Sequence, residues 1–285
     1  MKNIPWTKIG ITLLWVLGIA TIGLSLAFTE IKQQDLKCKK ITINVNKSDE
    51  NYFINKQDIS AIIQFGGDSL LNKYVNKINV KRLEKLIEAN KYISNAEVFI
   101  DLNGELFVNV QQRKPLLRIF TADQHSFYLD EHGLKMPLSP NYSAKVLSAN
   151  GNIEEIYGGI FDSVKNPLLN DLFELTKFIK ANEFWDAQIE QIFIEENKDI
   201  TLIPRVGNQK ILFGSIENRD EKFEKLFLFY TKAMPKVGWD TYSIINLKFK
   251  NQIVATKSGM GIVLPKPILD TVVATDRLDT TLTVL

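Results

Sequence analysis

Residues 9–28 read IGITLLWVLGIATIGLSLAF, twenty positions without a charge. A helix rising about 1.5 Å per residue would carry that run about 30 Å, the thickness of a bilayer's hydrocarbon core. No water is available there for backbone amides and carbonyls, so the run is expected to cross as one helix. Everything after it must then act within reach of a membrane. A cleavable signal peptide is the rival reading, with Lys2 and Lys8 as the n-region and Ser25 and Ala27 at −3 and −1 of a candidate cleavage point. The run exceeds the ~7–15 residues of a signal h-region, which favours a retained anchor. Cys38 follows Asp35-Leu36-Lys37 and not a small apolar box, so a lipid-modified cysteine is not expected. Flanking charge does not set the orientation. Lys2 and Lys8 lie before the run; Lys32, Lys37, Lys39 and Lys40 lie after it, offset by Glu30 and Asp35. Long domains cross regardless of such flanks, so residues 1–8 are read as a short cytoplasmic arm with the bulk of the chain outside.

The length beyond the anchor suggests two small domains. Hydrophobic residues at 45% and charged residues at 24% describe an ordinary globular chain. A net charge of +2 argues against a nucleic-acid partner, which needs a concentrated basic face. One cysteine forbids an intrachain disulfide. Two histidines, His125 and His132, leave little for metal or acid–base chemistry.

In the first module Ile41, Ile43 and Val45 alternate with polar residues, the period of a half-buried strand. Asn55 can cap a helix carrying Ile59, Ile62 and Ile63 that ends at Gly66-Gly67. A second helix begins near Asn79, with Val80, Leu83, Leu86 and Ile87 on one face and Asn90 as a left-handed stop. A hairpin follows. A two-residue Asn103-Gly104 turn would pair Val98 with Asn109 and mix the faces. A three-residue Leu102-Asn103-Gly104 loop pairs Ile100 with Leu106 and Val98 with Val108, and sets Phe99 opposite Phe107.

The order strand, helix, helix, strand, strand resembles the POTRA domain. Residues 79–115, NVKRLEKLIEANKYISNAEVFIDLNGELFVNVQQRKP, resemble the POTRA region of the bacterial cell-division protein family FtsQ (DivIB). The matching positions are Ile93, Ala96, Val98, Leu106, Val108, Val110, Arg113 and Pro115, with Gly104 in the hairpin loop. Asn-Gly stands where many relatives carry a proline-containing turn, and Gln112 where Glu is frequent.

The second module gives strand patterns at Leu116–Phe120 and Ser126–Leu129, then Asp130-Glu131-His132-Gly133. SFYLDEHGLKMPLS resembles the hairpin after the FtsQ POTRA unit. Asn166-Pro167 opens a helix with proline at its first position, its apolar face formed by Leu168, Leu169, Leu172, Phe173 and Phe178. Asn218-Arg219-Asp220-Glu221 opens another in capping-box spacing, with Phe223, Leu226, Phe227 and Tyr230 facing inward. Strands are expected at Ile189–Ile194, Ile200–Ile203, Lys210–Phe213, Ser243–Phe249 and Gln252–Thr256. INLKFKNQIVATK resembles the end of the FtsQ β-domain. The fold class is therefore α+β: one transmembrane helix (9–28), a POTRA-like β-α-α-β-β module (41–115), and a mixed β-sheet domain with packed helices (116–257). Residues 258–285 show no clear periodicity and read as a poorly ordered tail.

No catalytic constellation emerges. Asp130-Glu131-His132 reads as a solvated turn with Gly133 at positive φ. Glu154-Glu155 and Glu195-Glu196 read as loop or rim charges, because adjacent strand residues point to opposite faces. Cys38, in a lysine-rich linker, reads as a free thiol. No cofactor, metal site or small-molecule substrate is expected, and the chain is not read as an enzyme.

Recognition remains. A terminal strand leaves unpaired amides and carbonyls that another chain can complete. The expected edge is Gln252, Ile253, Val254, Ala255, Thr256 and Lys257, supported by Ile244, Asn246 and Lys248; Leu247 and Phe249 read as core. Val254→Pro should delete one ladder donor. The resemblance implies that this strand receives a segment of a bitopic coiled-coil protein of the FtsB type, which also binds FtsL. Through these the chain would reach the septal wall synthases. It further implies a single-pass protein of the bacterial inner membrane, its bulk in the periplasm, enriched at the division septum. The alternatives are another POTRA-containing envelope assembly factor and a tethered enzyme acting on peptidoglycan.

Overall fold

The first lobe is built around two helices whose starts are written in asparagine. The computed structural model describes residue 10 and residues 13–23, 36–46, 53–66, 69–155, 164 and 166–259. Strand β1 (Lys40–Asn46) leads to helix α1 (Lys56–Phe65). Asn55 accepts from the Gln57 and Asp58 amides while Asp58 accepts from the Asn55 amide, a complete capping box. Helix α2 (Val80–Glu88) starts on Asn79, whose side chain accepts from the Arg82 amide. Its end differs from expectation. Asn90 is not left-handed; its side-chain oxygen accepts from the Tyr92 amide and turns the chain into the next strand.

Strands β2 (Ile93–Ile100) and β3 (Glu105–Gln112) form the hairpin in the register that alternation requires: Val98 opposite Val108, Phe99 opposite Phe107, Ile100 opposite Leu106. The Phe99 and Phe107 rings stack at 5.1 Å on the outer face. Gly104 has φ +84°, and a Cβ there would lie 2.5 Å from the Lys37 carbonyl, so only glycine fits this corner. The sheet order is β1-β3-β2, with β1 parallel to β3. Cys38 is not a linker residue: it is fully buried with Ile59, Ile87, Leu106 and Val108. That burial raises its thiol pKa above the ordinary value.

The second lobe is one nine-stranded sheet. Its strands are β4 (Pro115–Phe120), β5 (Ser126–Asp130), β6 (Lys135–Pro137), β7 (Leu147–Gly151), β8 (Ile189–Ile194), β9 (Ile200–Pro204), β10 (Lys210–Gly214), β11 (Tyr242–Asn246) and β12 (Val254–Lys257). The spatial order is β12-β11-β10-β9-β8-β7-β4-β5-β6. Helix α3 (Pro167–Lys180), the short α4 (Glu183–Gln188) and α5 (Arg219–Leu228) contribute to the core, α5 running through a π-turn at Phe229–Ala233 into α6 (Met234–Val237). Two expectations for α5 fail. Asn218 is itself left-handed (φ 54°) and makes no side-chain cap, and Phe227 is 43% exposed. Strand β7 carries only Leu147 and Ala149 as inward signals, yet it joins β4 to β8, parallel to both.

The lobes meet through buried contacts. Arg113 Nε donates to Asp130 Oδ2 at 2.7 Å, both side chains being 2% exposed, and its other nitrogens donate to the Lys91, Leu134 and Lys135 carbonyls. Asp130 is thus no solvated turn residue; its second oxygen also accepts from the His132 and Leu134 amides. Beside it Phe53 stacks on Tyr92 at 5.5 Å and meets Tyr128 and Tyr142 edge-on. Pro115, grouped with the first module by sequence, opens β4 of the second sheet.

Of the apolar run at 9–28, residue 10 and residues 13–23 are helical and the remainder lies outside the described residues. Among the described residues no helix is long and apolar enough to cross a membrane. The expected tail at 258–285 also lies outside them, Ser258 and Gly259 excepted.

Candidate partner-docking edge

Strand β12 pairs with β11 on one side and ends the large sheet on the other, among the described residues. Its pairing fixes which groups face outward. The Ser258 amide donates to the Thr241 carbonyl at 2.9 Å, and Ser243 Oγ donates to the Thr256 carbonyl at 3.4 Å. Antiparallel ladders alternate, so Val254 and Thr256 direct their main-chain groups toward β11. Ala255 and Lys257 direct theirs away from it. On the sequence reading Val254→Pro deletes one ladder donor; the register turns that donor toward β11 and gives the outward one to Ala255.

The strands are shorter than alternation alone suggests. Asn246 ends β11 by accepting the Lys248 amide on its side chain (3.0 Å), so Lys248 lies past the supporting strand. Asn251 is left-handed (φ 59°), and Gln252 and Ile253 precede β12. Ile253 packs against the large core, Leu247 is buried within it, and Phe249 is 46% exposed, contrary to the core reading. Ile244 and Asn246 lie on β11, opposite Thr256 and Val254.

Side chains that sequence reading passed over hold this hairpin. Lys225 Nζ donates to the Phe249 carbonyl (2.9 Å), and Glu221, one turn earlier on α5, accepts from the Asn251 amide (3.4 Å). The Lys225 hydrogen bond, with the Asn251 amide second, holds the Glu221 carboxyl below its ordinary pKa. Lys248 Nζ donates to Asp199 in the β8–β9 turn (3.0 Å), and that bond is the main cause of the lowered Asp199 pKa. At the far end Ser258 Oγ donates to the Asp240 carbonyl (2.7 Å). The Glu221–Lys225 spacing is legible as a helical i,i+4 pair. That the pair also grips a turn beyond β11 is not.

The first-lobe motif residues serve packing and joining. Ala96 and Val98 are buried under α2, Gly104 makes the corner, Arg113 joins the lobes, and Pro115 starts the second sheet. His125 and His132 are not drawn into a cluster: among the described residues no group of three or more His, Cys, Asp or Glu is placed to hold a metal. Lys135, buried at the joint, pairs with Glu155 at 2.6 Å, which removes Glu155 from the set of mere rim charges.

A three-stranded αβ lobe, joined to a long mixed sheet with helical cover and an exposed terminal strand, defines a POTRA-like domain followed by a β-domain. A family model described as POTRA-like domain matches residues 36–111, and one described as FtsQ/DivIB, C-terminal related, matches residues 114–256, half of the chain. No curated protein matches it. The chain belongs to the FtsQ/DivIB family, which places it among the cell-division scaffolds.

Proposed function

We propose that this chain is a non-enzymatic scaffold of the bacterial division machinery that docks bitopic coiled-coil proteins of the FtsB and FtsL type by strand addition to β12. Through them it supports the septal wall synthases. One observation carries the reading. Four residues at the end of a nine-stranded sheet direct two sets of main-chain groups outward, at Ala255 and Lys257, on a hairpin pinned at both ends. A pre-ordered edge lowers the ordering cost for an incoming strand.

Residues 9–28 act as the single membrane anchor, residues 1–8 lie in the cytoplasm, and the POTRA-like unit and the β-domain lie in the periplasm. Septal enrichment follows from those partners. Leu13, Leu14, Trp15, Val16, Leu17, Ile19 and Ile22 are each more than 60% exposed on the described helix. A helix apolar on every side suits lipid rather than water.

The test is Ala255→Pro in the full chain. Proline at an outward-facing edge position removes one donor and leaves the inner ladder intact. Co-purification of the coiled-coil partners should fall at least ten-fold with the thermal unfolding midpoint unchanged. Undiminished co-purification would exclude strand addition at β12.

A further inference from the structure

Each sheet has two ends, and the four are not treated alike. The β6 end is three residues long. At β2 the outward amides of Ala96 and Val98 are taken by Glu88 Oε1 (3.2 Å) and Glu84 Oε1 (3.0 Å) from α2, so that end is sealed by side chains. The β12 end belongs to the proposed docking site. The fourth end is β1.

Segment 36–38, just before β1, is covered on its outer side. The Cys38 amide donates to the Lys73 carbonyl, the Asn72 amide to the Cys38 carbonyl and the Val75 amide to the Leu36 carbonyl, at 2.8–2.9 Å. From Lys40 onward that cover departs, and among the described residues no strand pairs with the outer side of β1 along its seven residues. Instead a groove runs between β1 and α1, formed by adjoining hollows of about 440 and 400 Å³ that share Ile41, Ile43 and Ser60. Ile41 and Ile43 are only half-buried there, and Leu71 is half exposed. The rim is basic: Lys39 and Lys40 at one end, Lys56 beside the first turn of α1. The nearby carboxylates are already engaged, Asp58 in the α1 capping box and Glu105 by Lys40 and Thr42.

We infer that the β1 edge is a second docking site, which takes an extended segment of a partner polypeptide carrying acidic side chains. The segment adds to β1 as a fourth strand. Its inward apolar residues enter the groove beside Ile41 and Ile43, and its carboxylates meet Lys39 and Lys56. Main-chain pairing gives the register, the groove selects every second side chain, and the lysines select the charge. The site is separate from β12 and does not depend on the reading given to that strand.

A photo-crosslinking amino acid at Gln57, exposed on the groove wall, tests this in the full chain in its host's membranes, with Glu97 on sealed β2 as the control position. The expected result is an adduct at Gln57 whose sequenced partner peptide comes from another polypeptide and has more acidic than basic residues. Combined Lys39→Glu and Lys56→Glu should lower its yield at least ten-fold without moving the unfolding midpoint. Ala255→Pro should leave it unchanged. An adduct with a second copy of this chain, with lipid, or with equal yield at Glu97 would overturn the inference. So would no adduct, or a yield indifferent to charge reversal.

Discussion

The β2 and β12 ends answer one problem in opposite ways. Both present outward amides at alternate residues. On β2 those of Ala96 and Val98 are bonded to Glu88 and Glu84, carried one turn apart on α2. On β12 those of Ala255 and Lys257 have no strand beyond them among the described residues, while the ends of the hairpin are pinned by Lys225, Glu221 and Ser258. An edge left open by neglect would be expected to fray. An edge left open but braced is suited to being completed by another chain. The difference teaches that sealing is available to this fold and is applied selectively.

The comparison presumes that the two lobes are held together, and the strongest challenge is at their joint. Arg113→Ala leaves Asp130 buried without its counter-charge, which should cost about 3–5 kcal/mol. Chemical denaturation would read this as a large fall in midpoint. Because Arg113 also ties three carbonyls, protease cutting near residues 113–115 should rise in parallel. A loss below about 1 kcal/mol would mean that the joint tolerates separation.

The next test sets adjacent residues of β12 against each other. Val254→Pro removes an amide directed at β11 and should cost about 1–3 kcal/mol, read by thermal unfolding. Ala255→Pro should leave stability nearly unchanged and lose partner binding. Reversal of that order would show the alternation assigned to β12 to be wrong.

Opening the sealed edge is a smaller perturbation. Glu84→Ala with Glu88→Ala strips two part-buried amides of their partners, about 1 kcal/mol each. Sedimentation should then show concentration-dependent self-association, as β2 acquires the exposure that β12 has. Monomeric behaviour at high concentration would show that these glutamates do not guard the edge.

The smallest effect concerns the brace at Asp199. Folding lowers its carboxyl pKa, chiefly through Lys248, so the folded state binds that proton less readily than the unfolded chain. The contribution is therefore complete above the ordinary carboxylate range and is lost as pH falls through the lowered folded value. The pair is partly exposed, so the amount is about 0.5 kcal/mol. Asp199→Asn should flatten the stability–pH curve in that acidic window, lowering stability at neutral pH by about that amount and leaving it nearly unchanged once the wild-type carboxyl is protonated.

Legibility followed the reach of each interaction. The caps at Asn55 and Asn166 are local hydrogen bonds within three residues and are readable in sequence; at Asn79 the helix start is readable and the structure supplies the cap. The β2–β3 register was readable because mixing faces would have exposed Val98 and Val108. Asn218 and Asn90 show the limit. Each has a capping or stopping residue's chemistry, and neither takes the expected role, because the surrounding chain sets their backbone angles. Strand β7 is not legible in sequence, since Ser148, Asn150 and Gly151 are weak strand formers and only its neighbours β4 and β8 define it. Asp130 reads as solvated in sequence because its partner lies seventeen residues away in another lobe.

The amino-acid order by itself determined the α+β class, the apolar run, the hairpin face and the family, since each rests on periodicity or on residues close together in the chain. Only the tertiary structure decided which strand ends are sealed, which of two neighbouring residues on β12 points outward, and where Arg113 is buried. Those outcomes depend on groups far apart in sequence meeting at hydrogen-bonding distance, and no local pattern encodes such a meeting.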